Sequence, residues 1–170
     1  MKPMDAEFAE YVRARQHGLL RAAYLVCGDR HQAEDLVQQA LIKLALRWET
    51  IRHEHPDAFV RRVLYRDAIS SWRRTSRERV TLTPPEPTPY AAHDTSVEAK
   101  VDLERALSRL APRQRAVLVL RFFEDRSEAE TAAILGISVG TVKSQTHDAL
   151  SRIRTLVPHL APLTTGGESS

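Results

Sequence analysis

Between Val80 and Asp94 the chain carries Thr-Leu-Thr-Pro-Pro-Glu-Pro-Thr-Pro, and the four prolines from Pro84 to Pro89 rule out both a helix and an inner strand. Each proline deletes a backbone donor and fixes φ, which holds the segment extended and keeps it out of any core. The 170 residues are thereby cut into two stretches, each long enough for a small domain of its own.

Both stretches read as all-α. Apolar residues recur at three-four spacing, while alternating runs and hairpin dipeptides are missing. A first helix is expected from Asp5 to Cys27, with Phe8, Val12, Leu19, Ala23 and Val26 inward and Gly28 as a left-handed stop. Asp29 and Gln32 have capping-box spacing ahead of a second helix carrying Leu36, Val37, Ala40, Leu41, Leu44 and Trp48. A third is expected from Pro56 to about Arg77, with Phe59, Val63, Ile69 and Trp72 inward. Beyond the linker, Thr95 with Glu98 opens a helix bearing Val101, Ala106, Leu107 and Leu110, and Pro112 starts another that reaches Glu124 with Val117, Leu118, Leu120 and Phe122 inward.

The stretch Ser127 to Arg154 is the most informative. Ser127 and Glu130 cap a short helix ending at Leu135-Gly136, Gly136-Ile137-Ser138 makes a tight turn, and a longer helix runs from Ser138 to about Val157. That order is a helix-turn-helix layout. With Val139, Val142, Ala149, Leu150 and Ile153 inward, Thr141, Lys143, Ser144, Gln145, His147 and Asp148 fall on or near the outer face. Gln pairs bidentately with adenine, Lys donates to guanine or phosphate, and free amides at a helix start suit a phosphate. Asp148 beside phosphates repels them unless it accepts from a cytosine amino group. Gly140 weakens a helix but permits close approach of backbone to DNA. The bland alternative is a helical hairpin with a solvated polar face.

Charge enters through position. The net charge is only +3, yet the third helix alone holds Arg61, Arg62, Arg66, Arg73, Arg74 and Arg77 with Tyr65 and Trp72 among them. Arginines for phosphates and aromatics for exposed bases suit a protein that handles opened DNA. Trp72 continues the apolar stripe and reads as core before stacking platform, while Tyr65 fits either role. His53 and His55 form an His-x-His pair, but with no cysteine or carboxylate cluster beside them a solvated loop is expected, with no metal and no cofactor. Cys27 is the sole cysteine, which excludes an internal disulfide. No apolar run is long enough for a signal peptide or a membrane span, so a soluble cytoplasmic protein is expected.

Several motifs resemble one family. Leu110-Ala-Pro-Arg-Gln-Arg-Ala-Val-Leu118, Glu128-Ala-Glu-Thr-Ala-Ala-Ile-Leu-Gly136 and Ser138-Val-Gly-Thr-Val-Lys-Ser144 closely resemble region 4 of extracytoplasmic-function sigma factors, a branch of the sigma-70 family. Ala33-Glu-Asp-Leu-Val-Gln-Gln-Ala-Leu41 and Phe59-Val-Arg-Arg-Val-Leu64 to Trp72-Arg-Arg74 resemble its region 2, and the likeness is strongest to the actinobacterial, sigma-E-like members. The resemblance implies an alternative sigma factor that directs core RNA polymerase to promoter DNA. It implies a region 2 bundle over 5–79, a linker over 80–94, a region 4 domain over 95–157 and a disordered tail over 158–170.

The implied division of labour gives Arg61, Arg62, Tyr65, Arg66, Arg73 and Arg74 to the minus-10 element. Thr141, Lys143, Ser144, Gln145, His147 and Asp148 go to the minus-35 element. Asp35, Gln38, Gln39 and Lys43 meet the clamp coiled coil of the polymerase β′ subunit, and the fourth region meets the β flap. Glu49 to Asp57 matches the loop that captures a flipped base, and an anti-sigma factor is a further expected partner. Arg66 and Ser70 depart from the family, which often has Asn and Asp there. The rival readings are a conventional helix-turn-helix regulator, which explains only residues after Thr95, and an enzyme. For an enzyme, Glu34-Asp35 is the one tempting carboxylate pair, and helix neighbours do not face each other.

Overall fold

Asp5 accepts a hydrogen bond from the Glu7 amide at 3.0 Å and so caps α1, Ala6–Cys27, in the computed structural model of the chain. The model describes residues 5–78 and 97–158. The expected linker and the tail after Pro158 lie outside these residues, as do the side chains of Arg77, Thr95 and Glu98. Every regular element among the described residues is helical. The chain divides into two compact units, Met1–Thr81 and Leu82–Ser170.

In the first unit, Gly28 ends α1 at φ 75°, a conformation that costs glycine nothing, and its amide reaches the Tyr24 carbonyl at 2.7 Å. The Asp29 side chain then caps α2, Arg30–Leu46, through the Gln32 amide at 2.8 Å, a contact worth about 1 kcal/mol. The expected second helix stops before Trp48. Arg47 breaks the register, and Trp48 opens a one-turn helix α3, Trp48–Ile51. There its ring packs edge-on against Phe8 at 5.2 Å. The last helix, α4, covers Pro56–Glu78. The helices α1, α2 and α4 pack on one another around Leu19, Ala23, Val37, Ala40, Leu44, Val60 and Leu64.

The expected inward set on α4 needs correction. Val60, Leu64, Tyr65 and Ala68 are buried, whereas Phe59, Val63 and Ile69 are half-buried and Trp72 is 39% exposed. The set Phe59, Val63, Ile69, Trp72 contains a six-residue step, and at about 100° per residue that step leaves the face it started on. Val60 and Ala68, the smaller residues, let the neighbouring helices come close. Leu41, also expected in the core, is half-buried and lines a groove between α1 and α2 with Phe8, Val12 and Leu20.

The second unit contains α5, Val97–Ser108, and α6, Pro112–Leu118. The helix expected to run to Glu124 changes at Val119 into a π turn, Val119–Phe123, in which the Glu124 amide reaches back five residues to the Val119 carbonyl at 2.9 Å. The widened turn carries Phe122 outward, so it is 50% exposed instead of inward, and Phe123 is exposed beside it. Asp125 follows in the left-handed region, φ 53°.

The expected capping box is present at the next helix, α7, Glu128–Leu135. There the Glu130 amide donates to Ser127 Oγ at 3.1 Å, and the Ser127 amide donates to Glu130 at 2.8 Å. Gly136 stops it at φ 68°. Ser138 caps α8, Val139–Leu156, through the Thr141 amide at 3.1 Å. Val117, Ala132 and Val142 pin the two helices of the motif to α6, with Leu135 and Ile137 packed against them. Val139, expected inward, is 40% exposed because it sits in the first turn, ahead of the packed surface. No described helix is long and apolar enough to cross a membrane.

Candidate nucleic-acid interfaces

The first unit brings the end of α2 and the start of α4 together around a cleft of about 500 Å³, lined by Lys43, Leu46, Arg47, Phe59, Arg62, Val63, Arg66 and Asp67. Leu46, Phe59 and Val63 make the lining partly apolar, Leu46 being 83% exposed, and the Arg47 guanidinium lies over the Phe59 ring, 5.9 Å from its centre. Arg62 and Arg66, one turn apart, stand in solvent at the rim. To a flat ring the lining offers the π surface of Phe59 and the aliphatic surface of Leu46 and Val63, and to phosphates it offers arginines. Arg73 and Arg74 continue the cationic row along α4, also exposed.

Two of the expected minus-10 residues are not on this surface. Tyr65 is 1% exposed and packed in the bundle, so its ring is not offered to a base. Arg61 is 9% exposed, with its guanidinium 3.6 Å from the Asp57 carboxylate and 3.4 Å from the Asp57 carbonyl. It acts inside the protein. Trp72, read from sequence as core, is instead the exposed aromatic. It lies just past Ser71, whose hydroxyl receives the Gln32 amide at 2.8 Å from the start of α2, where the covering helices end.

On α2, Asp35, Gln38, Gln39 and Lys43 are exposed, and Ile42 joins them at 46% exposure. Lys43 is not free, since its ammonium pairs with Asp67 at 2.8 Å. The pair ties the expected polymerase-facing helix to the arginine-bearing one. Sequence reasoning missed Leu46, Arg47 and Asp67. Arg47 was visible only as one more cation, and nothing in its neighbours signalled that α2 ends beneath it. His53 and His55 are exposed in the loop between α3 and α4.

In the second unit α8 exposes four of the six residues expected on its outer face, Lys143, Ser144, His147 and Asp148, while Thr141 and Gln145 are half-buried. Thr141 is engaged in the cap, its hydroxyl 2.8 Å from that of Ser138, and the Ser144 hydroxyl donates to the Thr141 carbonyl at 3.1 Å. Both therefore serve the helix end as well as facing out. Lys143 leans toward Glu128, 3.9 Å away, and Glu128 also meets Arg121 at 4.0 Å. The sequence reading overlooked Glu128 as a partner because it lies on the other helix of the motif. A Cβ at Gly140 meets only Ser138 Oγ, at 3.8 Å. The fold leaves room there for a side chain.

These two units coincide with two family models. Residues 11–78 match Sigma-70 region 2, and residues 100–153 match Sigma-70, region 4. The chain is 45% identical over 152 residues to the RNA polymerase sigma-E factor of Streptomyces coelicolor, covering 87% of this chain and 84% of that protein. It is 33% identical over 156 residues to the ECF RNA polymerase sigma factor SigL of Mycobacterium tuberculosis, covering 84% of each. Among solved structures, the sigma factor RpoE of Bartonella quintana, crystallised with the anti-sigma factor NepR, superposes with a TM-score of 0.77 at 24% identity, over 91% of this chain and 98% of that one. CnrH, in complex with the cytosolic domain of CnrY, gives 0.63 at 20% identity, over 89% and 88%. With a region 2 bundle and a region 4 helix-turn-helix in one chain, and sigma-E factors among its relatives, this protein belongs to the extracytoplasmic-function sigma factors, the sigma-70 branch that directs promoter-specific initiation of transcription.

Proposed function

We propose that the chain works in the cytoplasm as an alternative sigma factor whose two units divide the promoter between them. Residues 5–79 bind core polymerase and open and read the minus-10 element, 80–94 form the linker, 95–157 read the minus-35 element, and 158–170 take no part in either. The single observation that carries the reading is the pairing of a cationic, partly apolar cleft with a capped helix-turn-helix in one chain. A conventional duplex-DNA regulator has no use for the cleft.

In this mechanism Asp35, Gln38, Gln39 and Lys43, with the exposed Ile42, dock α2 on the clamp coiled coil of the β′ subunit. The exposed pair Phe122 and Phe123 offers the β flap an apolar foothold. Thr141, Lys143, Ser144, Gln145, His147 and Asp148 face the upstream major groove, with the Gly140 backbone close to a phosphate. Downstream, Arg62, Arg66, Arg73 and Arg74 take the phosphates of the displaced strand and release counterions. Trp72 stacks on an unpaired base. The cleft and the segment from Glu49 to Asp57, which runs from α3 through the loop 52–55 into the start of α4, receive a flipped base and repay the few kcal/mol that unstacking costs. Sigma factors are initiation factors and not enzymes, and we assign this chain no catalytic group; the chemistry belongs to the polymerase. An anti-sigma factor is the proposed regulator.

The test is reconstitution. Purified protein mixed with bacterial core RNA polymerase should co-elute on gel filtration and yield run-off transcripts from a subset of a promoter library. If it binds duplex DNA but ignores core polymerase, the sigma reading gives way to a conventional regulator.

A further inference from the structure

The loop between α3 and α4 is held at both ends by α1. At its start, Asp5 Oδ2 accepts from the Trp48 indole N–H at 3.1 Å and from Arg52 at 3.1 Å, while Arg52 also meets Glu7 at 3.2 Å and Glu49 at 3.7 Å. The same Asp5 caps α1, so one carboxylate fixes a helix start and the loop entry together. At the loop's end, the Tyr11 hydroxyl donates to Asp57 Oδ1 at 2.8 Å, and Arg15 meets Asp57 Oδ2 at 3.2 Å. The buried Arg61 approaches the same carboxylate from the next turn of α4. The Phe8 and Tyr11 rings both lie on Trp48, at 5.2 and 5.5 Å. Between these anchors His53, Glu54 and His55 are exposed.

The two ends differ in character. Arg52 and Asp5 are each about 30% exposed, and Arg52 bridges to two further carboxylates at the surface, Glu7 and Glu49. Tyr11 is more enclosed, and burial, then the Asp57 carboxylate, push its phenol pKa above the ordinary value. It stays a hydrogen-bond donor at any working pH. Their common effect is to tie both ends of the loop, and with them its exposed tip, to α1.

We propose that Asp5, Tyr11 and Arg52 are positioning residues for minus-10 reading, setting the geometry at which the loop 52–55 meets an unstacked base. Base preference is then governed in part from α1, by residues 43 to 47 positions away in sequence from those they hold. Arg61, expected to touch DNA, acts with them through Asp57. The inference rests on the reading of the loop and cleft as the base-receiving site.

The experiment uses the full chain assembled with core polymerase. Tyr11→Phe removes one donor and keeps the ring; Arg52→Gln releases the other end. Arg62→Ala and Arg66→Ala serve as controls on the cleft. Each holoenzyme is titrated with single-stranded minus-10 oligonucleotides carrying each base in turn, alongside thermal melting and competition for core. A positioning role gives unchanged core affinity and a preference between bases flattened by about 3- to 10-fold at one position, the size expected for the loss of one hydrogen bond of ordinary strength. Arg52→Lys should restore preference, since it keeps the charge. Uniform weakening of all oligonucleotides in step with lowered melting, or unaltered preference while the controls lose binding, overturns the inference and leaves the cleft reading intact. If the controls bind as well as the parent, the cleft reading itself fails. Should either variant not fold, the other decides.

Discussion

Tyr65 and Trp72 are two turns apart on the same side of α4, yet one is sealed and the other 39% exposed. Their substitution should separate stability from function. Tyr65→Ala leaves a cavity in the bundle and should cost about 3–5 kcal/mol in denaturant unfolding. Trp72→Ala should change stability by less than about 1 kcal/mol. It should nonetheless weaken binding of single-stranded minus-10 DNA by about 1–3 kcal/mol, the range for base–aromatic stacking. Equal losses of stability from both would return Trp72 to the core. Gly140 offers a second test. Because its neighbourhood is open, Gly140→Ala should stabilise the second unit by about 0.5–1 kcal/mol and at the same time lower affinity for minus-35 duplex DNA. If affinity is unchanged, the backbone does not approach the phosphate there.

At the scale of elements, the caps decide where helices begin and the packed faces decide what they show. Asp29, Ser127 and Ser138 each satisfy an amide that a helix start otherwise leaves to water. The weak point is in α1, where Gly18 sits on the exposed face with nothing within 4 Å of an added Cβ. Gly18→Ala should therefore raise unfolding free energy by about 0.8–1 kcal/mol, read by chemical denaturation, with transcription unaltered. The π turn at Val119–Phe123 is the opposite case, an irregularity that turns Phe122 and Phe123 out to solvent. A regular helix there would redirect the side chains that follow it.

For the whole molecule, promoter binding is an electrostatic sum with modest net charge behind it. On the proposed reading, Arg62, Arg66, Arg73 and Arg74, the exposed arginines of α4 among the described residues, carry the phosphate contacts of the first unit. On single-stranded minus-10 DNA each neutralised phosphate contributes a slope of about −0.7 in log affinity against log salt. Arg73→Ala in the holoenzyme should accordingly flatten the measured slope by about 0.7, whereas Arg61→Ala, whose guanidinium is turned inward, should leave the slope alone and lower stability. An identical slope change from both would place Arg61 on the DNA.

The sequence by itself determined the helical class, the proline break, the caps at Asp29, Ser127 and Ser138, the glycine stops, and the helix-turn-helix layout, because each depends on residues within four positions of one another. Local chemistry is enough for a cap or a stop. Tertiary structure alone decided which side of α4 is buried, why Tyr65 and Arg61 turn inward while Trp72 does not, where α2 ends over Phe59, and that Lys43 meets Asp67 and Tyr11 meets Asp57. Those outcomes depend on which helix lies alongside and how far it reaches. Three-four spacing records that a helix has an inner face, but the partner that covers the face, and the point where the covering stops, are set by residues tens of positions away.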